Sequence, residues 1–240
     1  MANLEPRPMT LRAGSATGAA VDEGLRAYML RVYNYMATGL AVTGLVAWIV
    51  ANTPAVYNAI FGSGLMWLFI LAPIGVVFFL SARIHKMSFG AAQATYWIYA
   101  ALNGIALSTL FLAYTGSDLA RVFFITAAAF AGLSLYGYTT KRDLSGWGSF
   151  LVMGLIGVII AMVVNIFVES TMLQFVISVI GVLVFAGLTA YDTQKIKEMY
   201  VEGDGTAVMG KKAIFGALKL YLDFLNMFVL LLYLFGGSRE

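Results

Sequence analysis

Long apolar segments, separated by short polar ones, run from about residue 32 to the end of the chain. A helix needs about 20 apolar residues to cross a hydrocarbon core of about 30 Å, and seven segments are long enough. We therefore predict an all-α integral membrane protein with seven transmembrane helices in a compact bundle. The predicted spans cover residues 32–51, 64–82, 91–114, 122–138, 148–168, 171–191 and 214–235.

The segment before the first span has a different pattern. Residues 1–26 are polar, rich in Gly and Ala, and carry scattered charge, which is typical of a disordered tail. We expect two parts, a cytoplasmic tail of residues 1–26 and a transmembrane domain of residues 27–240. Between the sixth and seventh spans, VEGDGTAVMGKK has the glycines and acids of a solvated turn.

Composition and charge agree with the membrane prediction. Of the 240 residues, 61% are hydrophobic and 11% are charged, whereas a soluble domain has about 25% charged residues. Thirteen of the 15 Lys and Arg residues fall on the tail, on the loops after spans two, four and six, or at the start of span seven; the other two are Arg121 and Arg239. The positive-inside rule then predicts a cytoplasmic N-terminus and an outer C-terminus.

Candidate chemistry is sparse. The chain has no cysteine and a single histidine, His85, which argues against thiolate or histidine metal clusters. Motifs of serine hydrolases, zinc proteases and nucleotide-binding loops are absent, so we predict no enzymatic activity and no cofactor. The cations lie in short separated loops and not in one patch, so we expect no nucleic-acid partner.

Two aspartates stand out against this background. Asp192 ends the charge-free run of span six, and Asp223 lies about 13 Å into span seven. Both fall in the cytoplasmic halves of adjacent antiparallel helices, where two carboxylates cannot both ionise cheaply. We expect them to share a proton whose loss pushes the helices apart. Arg83, at the end of span two on the same side, is a candidate partner for the ionised carboxylate.

The stretches AGLTAYDTQKIKEMY and ALKLYLDFLNMF, with KRDLSGWGSFL between spans four and five, resemble the Bax inhibitor-1 family of seven-helix membrane proteins. The resemblance extends from span one to span seven. It implies a pH-sensitive calcium leak channel of the bacterial inner membrane, gated by the pair Asp192 and Asp223, with Arg83 as the salt-bridge partner that switches between them. Calcium would be the permeant ion, or an ion that the two carboxylates hold transiently.

The chain departs from the family pattern near Asp223. Lys219 stands one turn before it, where relatives commonly have small polar residues, and the preceding loop is longer than in compact relatives. At i,i+4, Lys219 would hold Asp223 ionised and move the pH response to more acidic conditions. Asn226, one turn after Asp223, is a further candidate modulator that can form an interhelical hydrogen bond.

Other interpretations stay open. Lys219 and Asp223 form a structural pair in one of them, with Asp192 a boundary residue in headgroup water and Arg83 a positive-inside anchor. A second function is suggested by family members that modulate cell death or a membrane protease: a non-conducting regulator that binds other membrane proteins. A retinal protein is disfavoured because span three carries no acid.

Overall fold

The computed structural model describes residues 13–237 of the chain, with side chains from residue 22 onward. All regular secondary structure in this part is α-helical. The helices are α1 (Ala13–Ala51), α2 (Pro54–Phe61), α3 (Met66–Arg83), α4 (Phe89–Leu107), α5 (Leu110–Ala113), α6 (Gly116–Thr139), α7 (Ser145–Val168), α8 (Thr171–Glu198) and α9 (Thr206–Phe235).

The prediction of seven membrane-spanning helices is confirmed. Seven segments of the described chain are long and apolar enough to cross a membrane: Asp22–Ala51, Met66–Arg83, Phe89–Ala113, Gly116–Thr139, Ser145–Val168, Thr171–Glu198 and Thr206–Phe235. The chain is therefore a multi-pass membrane protein. The third span is divided into α4 and α5 at Ser108. The Ser108 hydroxyl donates to the carbonyl of Ile105 at 2.7 Å, and such side-chain hydrogen bonds compete with the backbone hydrogen bonds of the helix.

The first helix begins earlier than the sequence pattern suggests. Helix α1 starts at Ala13, so it includes the second half of the segment that was expected to be a tail. Residues 1–12 of that segment lie outside the described residues. Alanine, the best helix former, is frequent in this part of α1, and from Tyr28 onward the helix is anchored by buried side chains such as Met29 and Val32.

The turn between α8 and α9 is shorter than predicted. Helix α8 continues past Asp192 to Glu198, and α9 begins at Thr206 rather than at residue 214. Lys219 therefore lies 13 residues, about 20 Å, from the start of its helix. Because Asp192 and Lys219 are both inside helices and away from their ends, the packing of α8 on α9 sets their relative position.

Helix α9 is the central helix of the bundle. It packs against α1, α4, α6 and α8, and 56% of its most apolar window is buried, compared with at most 33% in any other span. Leu220, Phe224, Met227 and Leu230 are among its buried residues. A local rearrangement of α9 therefore changes its packing against four other helices.

Small residues allow the closest helix contacts. A Cβ atom at Gly137 of α6 would overlap the backbone carbonyl of Ala190 in α8. At Gly104 of α4, a Cβ atom would lie 2.7 Å from the carbonyl oxygen of Thr43 in α1. These glycines let backbones approach, as expected for tightly packed membrane helices, and the first of them presses α6 against α8 two residues before Asp192.

Candidate functional site

The two candidate aspartates lie on the packed pair of helices α8 and α9. Asp192 comes six residues before the end of α8, and Asp223 lies in the middle of α9. Both are buried, with exposed fractions of 8% and 4%. Buried carboxylates are costly unless they are paired or hydrogen-bonded, so their partners determine the chemistry of the site.

The partner of Asp192 is Lys219 of the neighbouring helix. The Lys219 Nζ donates to the Asp192 Oδ1 at 2.9 Å, and the ammonium also lies 5.8 Å from the centre of the Phe215 ring. The sequence-based expectation paired Lys219 with Asp223 on its own helix. In the structure the ion pair of Lys219 is with Asp192, because close packing of α8 on α9 lets the long side chain reach across and tie the two helices together. The electrostatic influence of Lys219 on Asp223 remains.

Asp223 completes the site without such a partner. Its Oδ2 atom is buried and accepts no hydrogen bond from any described residue. The carboxyl group interacts electrostatically with both Asp192 and Lys219. One ammonium group thus faces two carboxyl groups, one bonded across the helix interface and the other a single turn away on the same helix.

The other two predicted residues lie apart from this arrangement. Arg83 is the last residue of α3, is exposed, and forms no ion pair with another described residue. Its switching role stays a prediction. Asn226 is half-buried, and its Nδ2 donates to the carbonyl of Leu222 at 2.8 Å. This hydrogen bond lies within α9 and does not cross to another helix.

The residues that follow Asp192 bind the loop between α6 and α7, which the sequence interpretation missed. The Gln194 Oε1 accepts from the Leu144 N–H at 2.8 Å, and its Nε2 donates to the Arg142 carbonyl at 2.8 Å. The side-chain amide therefore binds the loop backbone through one accepted and one donated hydrogen bond, as a neighbouring β-strand would. In the sequence, Gln194 looks like an ordinary interfacial residue, and nothing in the pattern indicates this contact.

Two lysines of the same motif extend this attachment. The Lys197 Nζ donates to the carbonyl of Tyr138 at 2.9 Å, which satisfies one of the unpaired carbonyls at the end of α6. The Lys195 Nζ donates to the Ser145 hydroxyl at 2.6 Å at the start of α7. Helix α8 is thus tied to α6 and α7 by the residues just beyond Asp192, while Asp192 itself faces α9.

A chain of hydroxyl groups reaches α8 beside the site. The Tyr33 hydroxyl of α1 and the Ser134 hydroxyl of α6 are 2.7 Å apart, and Ser134 lies 2.9 Å from the Thr193 hydroxyl. Thr193 in turn donates to the carbonyl of Thr189 at 2.7 Å. These hydroxyl groups link α1 and α6 to α8 at the residue that follows Asp192 in the chain. Single hydroxyl residues within apolar runs gave no clear signal in the sequence.

The pair of aspartates is a poor resident metal site. Ca²⁺ takes about six to eight oxygen ligands, whereas Asp192 and Asp223 supply two carboxyl groups, one of which is bonded to an ammonium. Within the described residues, no group of three or more His, Cys, Asp or Glu side chains is placed to hold a metal ion.

Comparisons with known proteins cover nearly the whole chain. The model of the family described as inhibitor of apoptosis-promoting Bax1 matches residues 25–240. The inner membrane protein YbhL of Escherichia coli K12 is 46% identical over 219 residues, which cover 90% of this chain and 94% of that protein. The uncharacterized protein RP147 of Rickettsia prowazekii is 46% identical over 219 residues, covering 91% and 93%. The uncharacterized protein YrjE of Lactococcus lactis is 42% identical over 225 residues, covering 91% and 95%.

Proposed function

The chain belongs to the Bax inhibitor-1 family, and we propose that it is a pH-sensitive leak channel for cations, with calcium as the permeant ion. The similarity to an inner membrane protein supports the bacterial inner membrane as its location. The observation that carries the proposal is the ion pair of Lys219 and Asp192 between α8 and α9, beside the buried and unpartnered Oδ2 of Asp223.

The closed state follows from the charges of these three groups. With a proton on Asp223, the ammonium of Lys219 and the carboxylate of Asp192 neutralise each other across the helix interface. A neutral carboxyl group beside this pair avoids the cost of a second buried negative charge. The ion pair then ties α8 to α9.

Loss of the Asp223 proton changes this balance. Two carboxylates then compete for one ammonium in a region of low dielectric constant. Asp223 is at i,i+4 from Lys219 on the same helix, a spacing at which the two side chains can pair. If Lys219 turns to Asp223, then Asp192 loses its partner and the tie between α8 and α9 is released. Rising pH should therefore favour the open state, and Lys219 takes the switching role that the family resemblance assigned to Arg83.

When the ion pair between Lys219 and Asp192 is broken, the space between α8 and α9 offers a path for a cation. The two carboxylates are oxygen ligands of the kind that Ca²⁺ prefers. Weak and successive contacts favour conduction, because an ion must also be able to leave each site. Arg83, which is exposed at the end of α3, then acts as an interfacial anchor.

Calcium flux into liposomes tests the gate. The purified chain is reconstituted with a calcium indicator inside the vesicles, and the rate of entry is measured over a series of pH values. We expect entry to increase as pH rises. Asp223→Asn cannot lose a proton and should give a low rate with no dependence on pH. Glu198→Gln is the matched control, because Glu198 is an exposed acid of α8 that pairs with Lys195.

Two results would contradict the proposal. If Asp223→Asn and Lys219→Met keep the pH profile of the unmodified chain, the three-residue gate is wrong. If vesicles with the unmodified chain take up calcium no faster than protein-free vesicles at any pH, the channel is wrong, and the alternative of a non-conducting regulator of other membrane proteins takes its place.

A further inference from the structure

Helices α1 and α6 flank a crevice on the side of the bundle. In the described part of the chain, α1 packs on α4 and α9, α6 packs on α8 and α9, and contact between α1 and α6 is sparse. The space between them has a volume of about 570 Å³, and all of its lining residues belong to these two helices. The hydrogen bond between Tyr33 and Ser134 crosses it at 2.7 Å.

The crevice has apolar walls. Leu30 and Met29 of α1 face Phe130, Ala131 and Leu135 of α6 along its length. Leu30 and Leu135 are exposed, with fractions of 52% and 62%. In a chain that crosses a membrane, exposed apolar walls of this kind are in contact with lipid.

One end of the crevice is cationic. Arg26 lines this end, is exposed, and forms no ion pair with another described residue. Asp22 and Glu23, one turn earlier on α1, are exposed and do not pair with it either. On the opposite wall, the carbonyl of Tyr138 accepts from the Lys197 ammonium at 2.9 Å, but Lys197 itself does not line the crevice.

The position of Arg26 along α1 corresponds to the headgroup level. It lies 25 residues, about 38 Å, from the end of the helix at Ala51. The hydrocarbon core is about 30 Å thick, so Arg26 extends beyond it when the rest of the span lies inside. The crevice thus runs from a cationic end at the membrane surface into the apolar core.

We propose that this crevice binds one anionic phospholipid, with the phosphate against Arg26 and an acyl chain between α1 and α6. A guanidinium group binds phosphate oxygens through two parallel hydrogen bonds. The acyl chain leaves one apolar environment for another, so its transfer adds little selectivity. The headgroup charge decides which lipid is retained. The site does not depend on the proposed channel activity.

Native mass spectrometry of the full chain, released from micelles that contain equal amounts of phosphatidylglycerol and phosphatidylcholine, tests the site. We expect one phosphatidylglycerol to be retained in preference to phosphatidylcholine. Arg26→Gln should weaken that retention about tenfold, since a charge-assisted contact is lost. Arg31→Gln is the control, because Arg31 is exposed on the same helix and does not line the crevice.

A second pair of variants locates the acyl chain. Ala131→Trp fills the crevice and should reduce retention of both lipids, whereas Ala128→Trp, at an exposed position of α6 outside the crevice, should not. Equal retention of the two lipids by the unmodified chain would overturn the proposal, as would unchanged phosphatidylglycerol binding in both Arg26→Gln and Ala131→Trp. A dimer that Ala131→Trp dissociates, with lipid binding intact, would assign the crevice to a second copy of the chain and overturn it too.

Discussion

Replacing Lys219 by methionine tests the central contact of the site, the ion pair that joins α9 to α8. Methionine keeps the length and the apolar stem of the side chain but removes its charge. The Asp192 side chain, only 11% exposed, then loses its one ion-pair partner among the described residues. In Asp192→Asn the reverse holds: an ammonium that is already 34% exposed loses this ion pair but keeps access to solvent. We therefore expect Lys219→Met to destabilise the protein more than Asp192→Asn does.

The structure sets the size of the effect. At 2.9 Å, two unit charges attract by about 6 kcal/mol at an effective dielectric constant of about 20. Solvent screening of the part-exposed lysine and the entropy lost in ordering its side chain offset most of this attraction. We expect a net coupling of about 1–2 kcal/mol between Lys219 and Asp192. Lys219→Met alone should cost about 2–3 kcal/mol, because it leaves a buried carboxylate without a partner.

A double-mutant cycle isolates the coupling from the other effects of each substitution. The unfolding free energies of the unmodified chain, the two single variants and the double variant are measured in mixed micelles near neutral pH. Helix loss is followed by circular dichroism during titration with sodium dodecyl sulfate. The matched cycle replaces Asp192→Asn with Asp223→Asn, and its coupling should be below about 0.5 kcal/mol, the size of an ordinary i,i+4 pair.

The reasoning fails if the two cycles are reversed. A coupling above about 1 kcal/mol between Lys219 and Asp223, with none between Lys219 and Asp192, would mean that the lysine pairs along its own helix. The ion pair between α8 and α9, and the switching mechanism that depends on it, would then be refuted.

Three further predictions concern the surroundings of the site. Gln194→Leu removes both hydrogen bonds that hold the loop between α6 and α7, so we expect a loss of about 1–3 kcal/mol and faster amide exchange in that loop; unchanged exchange would contradict the clamp. Gly137→Ala pushes a methyl group into a backbone carbonyl of α8 and should cost about 1–3 kcal/mol in thermal unfolding, whereas Gly132→Ala, with open space at its Cβ position, should cost nothing. Hydrogen bonds from the Ser145 hydroxyl and backbone hold the pKa of Asp143 below its usual range. Ser145→Ala should therefore raise the midpoint of the Asp143 carboxyl titration, followed by NMR. An unchanged midpoint would show that the Ser145 hydroxyl does not lower this pKa.

Much of the architecture could be predicted from the apolar pattern. The thickness of the hydrocarbon core sets a minimum length for a span, and the need to satisfy every backbone polar group inside it leaves helices as the only structure for such runs. The seven spans and the placement of Asp192 and Asp223 on the last two helices followed from these constraints. The helix ends were less predictable: Thr206 and its neighbours are polar enough for a turn, yet they continue α9 beyond the apolar run.

The contacts of the site depended on the tertiary structure. From spacing alone, Lys219 has Asp223 as its neighbour on one helix, and nothing in the sequence shows that Asp192 is 2.9 Å away on another. The attachment of Gln194 to the loop between α6 and α7 was likewise invisible. Linear spacing determines which side chains share a helix face. The distance and rotation between two helices come from the packing of all their contacts together, and these decide which partner a long side chain reaches.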